Sequence, residues 1–231
     1  MRQKLRLLDA YCCVGGASRG YQMAGFHVTG VDIVPQPNYI GDVFIQGDAV
    51  DFILSHGHEF DVIHASPPCQ SACLLTRGTH RDAGRSYPQL IPVTRDALTD
   101  TGRPWVIENV VGAPMRTDLM LCGEMFGLGV IRHRLFEASR CSPVQPRHLR
   151  HRGRVAGWRH GVKYSGPYVA VYGHGGGGKD NTVVAWQTAM GIDWTDVRRE
   201  IAEAIPPVYA EYVGAFLADI VYLANPEKGN F

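Results

Sequence analysis

The stretch LRLLDAYCCVGG, residues 5–16, decides the fold, because an apolar run passes there directly into a glycine-bearing turn. The pattern predicts a buried strand over residues 5–11 and, after the turn, a helix over residues 17–24. A second strand, residues 27–33, carries the acid Asp32 near its end. This order of elements opens a nucleotide-binding α/β sheet, in which glycines let the backbone approach the ligand and the acid accepts ribose hydroxyls.

The turn departs from the Gly-x-Gly-x-x-Gly pattern of dinucleotide-binding folds. Cys13 stands at the first glycine position, and the glycines are Gly15 and Gly16. A nicotinamide oxidoreductase needs that pattern to hold its pyrophosphate, so we disfavour this class of enzyme.

Further apolar runs continue the alternation of strands and helices that is typical of a mostly parallel sheet. One run, residues 43–45, precedes Asp48, which we interpret both as the cap of a helix starting near Ala49 and as a cofactor ligand. We predict further strands over residues 60–65, 105–107, 120–122 and 135–138, and helices over residues 87–101, 195–204 and 207–223, with Thr195 as an N-cap.

A cysteine and a carboxylate follow two of these predicted strands. Pro67 and Pro68 restrict the backbone just before Cys69, and a thiol on a stiff loop suits covalent catalysis. Glu108 lies just after or within the strand over residues 105–107. A buried structural thiol is the alternative interpretation of Cys69, because free cysteine is among the most buried residue types.

Positive charge is concentrated in one segment of the chain. Residues 132–163 hold nine Lys or Arg against the single acid Glu137, a balance of +8 within a chain whose net charge is +1. Such a segment is the electrostatic pattern of a nucleic-acid-binding surface, and a solvated basic loop is the alternative.

The bulk properties are those of one soluble domain. At 231 residues and 45% hydrophobic content the chain can bury one full core, and it has no apolar run long enough to span a membrane. We predict a cytoplasmic protein and take a monomer as the default. The six cysteines lack a disulfide pattern and are interpreted as reduced thiols. We predict no metal site, because a zinc site from Cys141, His148 and His151 has no Cys-x-x-Cys pair to complete it.

Several motifs in order resemble the cytosine-5 DNA methyltransferase family over most of the chain. Residues 8–16 resemble the opening cofactor loop, residues 68–70 (Pro-Cys-Gln) and 108–110 (Glu-Asn-Val) the two central motifs, residues 132–134 (Arg-His-Arg) the next, and residues 204–207 the closing motif. The resemblance implies a Rossmann-like S-adenosylmethionine-dependent methyltransferase fold with a small recognition insertion. It divides the chain into a catalytic and cofactor-binding core over 1–138, a basic target-recognition insertion over 139–180, and C-terminal helices over 181–231.

The same resemblance assigns roles to individual residues. Cys69 would attack C6 of a flipped-out cytosine, Glu108 would act at N3, Arg134 would hold O2, and Arg132 would brace the catalytic loop. S-adenosylmethionine would be held by Tyr11, Cys13, Gly15, Gly16, Asp32, Ile33, Asp48, Ala49 and Ile205. The proposed contacts to double-stranded DNA are Gln70, Arg77, Arg81, Arg147, Arg150, Arg152 and Arg154.

The sequence therefore predicts a compact DNA cytosine-5 methyltransferase. Two alternatives stay open: the same chemistry on RNA or on a free nucleotide, and a nucleic-acid-binding member of the fold that has lost turnover. The basic insertion argues against a free nucleotide, which needs no extended cationic surface.

Overall fold

The computed structural model describes residues 4–68, 89–159, 162–172, 182–225 and 227. Its main sheet contains β1 (Arg6–Ala10), β2 (His27–Asp32), β3 (Val43–Gln46), β4 (Val62–Ala65), β5 (Trp105–Val110), β6 (Leu119–Leu121) and β7 (Arg134–Ala138). The helices are α1 (Gly16–Met23), α2 (Ala49–His56), α3 (Leu90–Asp100), α4 (Val183–Met190), α5 (Arg198–Glu203) and α6 (Pro207–Ala224). A separate hairpin pairs β8 (Gly157–Arg159) with β9 (Val162–Tyr164).

The main sheet has the strand order β3-β2-β1-β4-β5-β7-β6. The five strands from β3 to β5 are parallel, and β7 runs antiparallel to both β5 and β6. Because parallel strands share a direction, the turns after β1 to β5 all meet at one edge of the sheet, where ligands bind in open α/β folds.

Helices cover both faces of the sheet, as the near-continuous apolar sequence of its parallel strands requires. Successive side chains of a strand point to opposite faces, and in β1 Leu7 joins one core while Leu8 joins the other. The first core lies under α1 and α6, and the second lies under α2 and α3.

Close packing of α1 against α6 brings the two ends of the chain together. A Cβ added at Gly20 would lie 2.0 Å from the carbonyl oxygen of Pro207, so only glycine permits this contact. By length and composition α6 could cross a membrane, but its buried residues, among them Tyr209 and Val213, pack into the core with α1.

The structure differs from the sequence prediction in the C-terminal third. The helix α4 was not predicted, and α5 begins at Arg198 rather than near Thr195. The N-cap residue of α5 is Val197 and not Thr195. The Thr195 hydroxyl accepts a hydrogen bond from the Val197 amide and donates to Glu200 one turn further on.

The predicted insertion, residues 139–180, is described up to residue 172, and this part is joined to the core. Tyr168 and Val171 are buried, and Val171 packs in a cluster with Trp186 of α4. The Val169 amide also donates to the carbonyl of Gly129 at 2.7 Å.

Candidate active site

Strand pairing brings Glu108 and Arg134 together. Arg134 of β7 lies opposite Val110 of β5, and Glu108 is two residues from Val110 on the same face of that strand. Glu108 and Arg134 are therefore diagonal neighbours, within reach of long side chains. Nε of Arg134 lies 2.9 Å from Oε1 of Glu108, and the carboxylate side chain is only 6% exposed. The two residues that the resemblance assigns to one cytosine ring thus form a buried ion pair.

The environment of Glu108 favours its acid form. Burial raises the pKa of this carboxyl group above its usual value, and the nearby guanidinium of Arg134 only partly opposes that effect. The ion pair is close but poorly aligned, since among the described residues no donor is directed at Oε1. A raised pKa brings a carboxyl group closer to the range in which it can act as a general acid.

A line of buried polar groups leads to Glu108 from the neighbouring strand. Ser66 follows β4 and lies close enough to the Glu108 side chain to lower the pKa of its carboxyl group, against the larger effect of burial. Nε2 of His64 lies 2.9 Å from the Ser66 hydroxyl, and Nδ1 lies 2.9 Å from the Tyr21 hydroxyl. Because His64 is fully buried, its pKa is lowered to about 3 and it stays neutral. Both ring nitrogens are thus engaged, which fixes the ring and the serine beside the carboxyl group.

Asn109 fixes the backbone that leads to the predicted nucleophile. Its buried side-chain amide donates a 2.9 Å hydrogen bond to the carbonyl of Pro67. Its oxygen accepts from the amide of Val110 at 2.9 Å, which orients the side chain. Cys69 itself lies outside the described residues. The structure therefore gives the position of the backbone at Pro67, two residues earlier, and not that of the thiol.

Arg132 lies in a different environment from Arg134. It is 8% exposed, and its guanidinium donates to the carbonyls of Val171, Ala202 and Ala204. Its own carbonyl accepts a 2.7 Å hydrogen bond from the Tyr209 hydroxyl. Arg132 therefore braces the segment before α6.

The turn after β1 is a strained, left-handed stretch. The φ angles are 60° at Tyr11, 46° at Cys13 and 89° at Gly15. Positive φ is uncommon for residues other than glycine, and it explains why the family pattern favours glycine where this chain has Cys13. The Cys13 amide donates to Oδ2 of Asp32 at 3.0 Å, which ties the turn to the end of β2.

Gly16 joins this turn to the predicted closing motif. A Cβ at Gly16 would lie 2.4 Å from the carbonyl oxygen of Ile205, so the two backbones touch. Residues from opposite ends of the chain thus form one wall beside the turn.

The remaining predicted cofactor residues lie at the ends of β2 and β3. Asp32 is 8% exposed, and its other oxygen accepts from the Val34 amide at 3.0 Å. Ile33 is 67% exposed. Asp48 caps α2 by accepting from the amides of Val50 and Asp51, which confirms one of its two interpretations, while Ala49 is buried.

These residues fit S-adenosylmethionine. Each oxygen of Asp32 accepts one backbone amide and keeps a further lone pair, which can accept a ribose hydroxyl. An exposed apolar side chain at Ile33, between two acid-bearing strand ends, suits the face of an adenine ring.

The four arginines of the insertion that are predicted to contact DNA are exposed, as a nucleic-acid surface requires: Arg147, Arg150, Arg152 and Arg154. Two of the four have partners: Arg152 pairs with Glu124 at 2.8 Å, and Arg154 lies over the ring of Tyr164 at 5.5 Å. Arg147 and Arg150 are exposed. The other predicted contacts, Gln70, Arg77 and Arg81, lie outside the described residues.

A cavity of about 210 Å³ lies elsewhere, at the opposite edge of the sheet. It is lined by Asp61 before β4 and Pro104 before β5, among others. Because ligands of open α/β sheets bind at the carboxyl ends of the strands, we do not take it as the active site.

Sequence reasoning missed His64, Ser66 and the role of Asn109. A signal existed only for Asn109, which follows Glu108 directly in the second central motif. His64 on β4 and Ser66 just after it lie beside Glu108 only because of strand pairing, which aligns Ala65 with Ile107.

Two features of the sheet define a Rossmann-like α/β methyltransferase fold. One is the strand order with β7 antiparallel to its neighbours, and the other is the turn after β1, which lies beside the acid at the end of β2. A protein described as a DNA modification methyltransferase, encoded within an Escherichia coli prophage, has a TM-score of 0.60 at 16% identity, covering 94% of this chain and 99% of its own. The Dnmt2 methyltransferase of S. pombe has a TM-score of 0.61 at 14% identity, covering 96% of this chain and 100% of its own. The methyltransferase EhMeth of Entamoeba histolytica has a TM-score of 0.56 at 11% identity, covering 96% and 99%.

At these identities the likeness establishes the fold, and the predicted fold class is confirmed. No protein-family model matches the sequence, and no curated protein matches it significantly.

Proposed function

We propose that this protein is an S-adenosylmethionine-dependent methyltransferase that methylates C5 of cytosine in DNA. The observation that carries the proposal is the buried Glu108–Arg134 pair beside the anchored Pro67 carbonyl. An acid, a cation and the entry to a cysteine loop are brought together at one edge of the sheet. This is the set of groups that activation of a cytosine ring requires.

Cytosine C5 is a weak nucleophile, so the ring has to be activated first. In the proposed reaction the Cys69 thiolate adds to C6, and Glu108 donates a proton to N3 as electron density moves toward C5. Arg134 hydrogen-bonds O2 and leaves its contact with Glu108 as the ring enters. S-adenosylmethionine, when bound beside Asp32, supplies an electrophilic methyl group. Loss of the C5 proton to a base then expels the Cys69 thiolate from C6, and the N3 proton returns to Glu108.

Ser66 and His64 support this use of Glu108. His64 holds the Ser66 hydroxyl through a 2.9 Å hydrogen bond beside Glu108, and burial raises the pKa of the Glu108 carboxyl group, which favours its use as a proton donor.

A polymeric substrate agrees with the exposed arginines near the site. The target base must leave its stack at a cost of about a few kcal/mol, and contacts to phosphates can offset that cost. Arg147 and Arg150 are suitable for such contacts. The predicted cytoplasmic location agrees with a nucleic-acid substrate and stays a prediction.

The test uses methyl-labelled S-adenosylmethionine with duplex DNA, with single-stranded RNA and with a free deoxycytidine nucleotide in separate reactions. After digestion to nucleosides, the labelled product is identified by chromatography. We expect label in 5-methyldeoxycytidine from the wild-type protein and none from Cys69→Ala. Cys141→Ser is the matched control and should retain full activity, since the proposal gives that thiol no role.

Label in 5-methylcytidine alone would move the substrate to RNA. No label with any substrate, although the labelled cofactor binds in equilibrium dialysis, would favour the binding-only alternative.

A further inference from the structure

Four metal-ligating side chains meet at a point that the proposed reaction does not use. They are Cys122, His133, His148 and His151, and one ligand atom from each lies within 4.8 Å of all the others. The distances are shortest for two pairs. Nε2 of His133 lies 3.2 Å from Nε2 of His148, and Sγ of Cys122 lies 3.5 Å from Nε2 of His151.

These two distances match the edges of a metal tetrahedron. Zinc binds nitrogen at about 2.0–2.1 Å and thiolate sulfur at about 2.3 Å, so tetrahedral edges between nitrogens or between nitrogen and sulfur are about 3.3–3.6 Å. The three imidazole rings lie with their centroids 4.9 to 5.3 Å apart, close enough for their nitrogens to converge on one point.

The chain reaches this point from three directions. Cys122 follows β6 and is fully buried, and His133 directly precedes β7. His148 and His151 belong to the basic stretch 147–154 and are half-buried. Strand pairing of β6 with β7 sets Cys122 beside His133, because Leu121 lies opposite Arg134. The two histidines of the basic stretch then complete the group from above the sheet edge.

The donor set selects the metal. One thiolate and three imidazoles suit a borderline-soft ion that prefers four-coordinate tetrahedral geometry, which describes zinc. Calcium and magnesium are excluded because they require oxygen ligands, and the group offers none. Four protein ligands also close the coordination shell, so the site resembles structural zinc centres and not catalytic ones, which keep a position open.

We propose that Cys122, His133, His148 and His151 bind one structural zinc ion that fastens the basic stretch to the edge of the sheet. Binding releases the proton of the Cys122 thiol, and the three histidines bind as neutral imidazoles. His133 lies between Arg132 and Arg134. The ion therefore connects the stretch carrying Arg147 and Arg150 to the candidate active site.

This proposal replaces the prediction from sequence that the chain has no metal site. The site rejected in the sequence analysis had Cys141 as the thiol partner of His148 and His151, and in the structure Cys122 lies beside these histidines instead. Cys141 is not a member of the group.

The test measures metal content directly. The purified protein is stripped with a chelator, reconstituted with zinc chloride, freed of excess metal by gel filtration and analysed by mass spectrometry for zinc. We expect about one zinc ion per chain in the wild-type protein. Content should fall to background in Cys122→Ser, His148→Gln and His151→Gln, and stay at the wild-type level in the matched control Cys141→Ser.

Reconstitution with cobalt identifies the thiol ligand. The wild-type protein and Cys141→Ser should show a thiolate-to-cobalt charge-transfer band that Cys122→Ser lacks. Circular dichroism checks that each variant is folded, and if Cys122→Ser does not fold, the two half-buried histidine variants decide. Wild-type protein that retains no zinc, or folded His148→Gln and His151→Gln variants that retain all of it, would overturn the proposal.

Discussion

The side chain of Asn109 donates a 2.9 Å hydrogen bond to the backbone carbonyl of Pro67, and both groups stand at the carboxyl edge of the sheet. The contact joins β5, which carries Glu108, to the loop that leads from β4 toward Cys69. The residue next to the candidate acid thus sets the path of the candidate nucleophile.

Loss of that contact should slow the reaction without weakening cofactor binding. In Asn109→Ala the Pro67 carbonyl loses its donor, and misplacement of the loop should lower kcat by about 10-fold to 100-fold. Steady-state kinetics with saturating cofactor would measure this. The exposed Asn225→Ala is the control. An unchanged kcat in Asn109→Ala would show that the loop is held by other contacts.

Glu108 should give the reaction an alkaline limit. Its pKa is raised by burial, so the acid form persists above the usual range and is lost as pH rises through the raised value. The wild-type kcat should fall over that range. Glu108→Gln cannot supply the proton, and its kcat should be lower by about 100-fold to 10,000-fold with no such fall. The exposed Glu59→Gln should keep the wild-type profile, and an identical profile in Glu108→Gln would exclude the proposed role.

Asp9 should make the protein less stable as pH rises toward neutrality. Burial raises the pKa of Asp9 from 3.8 to about 7, although Ser18 donates to one oxygen, and the other oxygen has no partner among the described residues. Between pH 3.8 and about pH 7 the unfolded chain has lost this proton, while the folded protein still holds it. The free energy of unfolding therefore falls by about 1.4 kcal/mol per pH unit over that range.

Asp9→Asn removes this dependence. The free energy of unfolding of each protein is measured by denaturant titration. The value for Asp9→Asn minus that for wild type should rise steadily between pH 4 and pH 7 and then level off. A difference that does not change with pH would show that Asp9 is ionised in the folded protein.

His64 should make the protein less stable as pH falls, which is the opposite of the effect of Asp9. Its pKa is lowered from 6.5 to about 3, so below pH 6.5 the unfolded chain binds a proton that the folded protein excludes. Stability contributed by the neutral ring is present above that pH and is lost toward pH 3, at about 1.4 kcal/mol per unit. His64→Phe should be less stable at pH 7, since Ser66 and Tyr21 lose partners, and its disadvantage should shrink in acid. A constant disadvantage would contradict a neutral buried ring.

Two glycines offer a matched test of the closing contact. Gly16→Ala places a methyl group 2.4 Å from the Ile205 carbonyl and should cost about 1–3 kcal/mol of unfolding free energy. Gly47→Ala meets nothing within 4 Å and should change stability little. Thermal unfolding of both variants measures the contrast, and equal stabilities would show that α1 can move away from the closing segment.

The sequence was sufficient for the elements that obey local rules. The strands β1 to β5 are mainly apolar runs, and each was predicted to within a few residues of its observed bounds. The helix α6 begins at a proline that suits a first turn. The pairing of Glu108 with Arg134 was also within reach, because both residues belong to motifs of one resemblance.

Elements that depend on distant contacts were not predictable in the same way. The helix α4 directly follows a segment dense in glycine, and its own start signal, the Thr182 cap, carries little weight beside that composition. Only His148 and His151 of the metal-ligating group are close in sequence. Pairing of β6 with β7 and the path of the basic stretch bring Cys122 and His133 to them.

The hydrogen bonds of Arg132 have a consequence for synthesis of the protein on the ribosome. Its guanidinium contacts the carbonyl of Ala204, 72 residues later in the chain. A nascent chain that has displayed every candidate catalytic residue therefore still lacks the acceptors that hold Arg132, and Gly16 still lacks Ile205. The candidate active site of a nascent chain should therefore stay incomplete until α6 has left the exit tunnel.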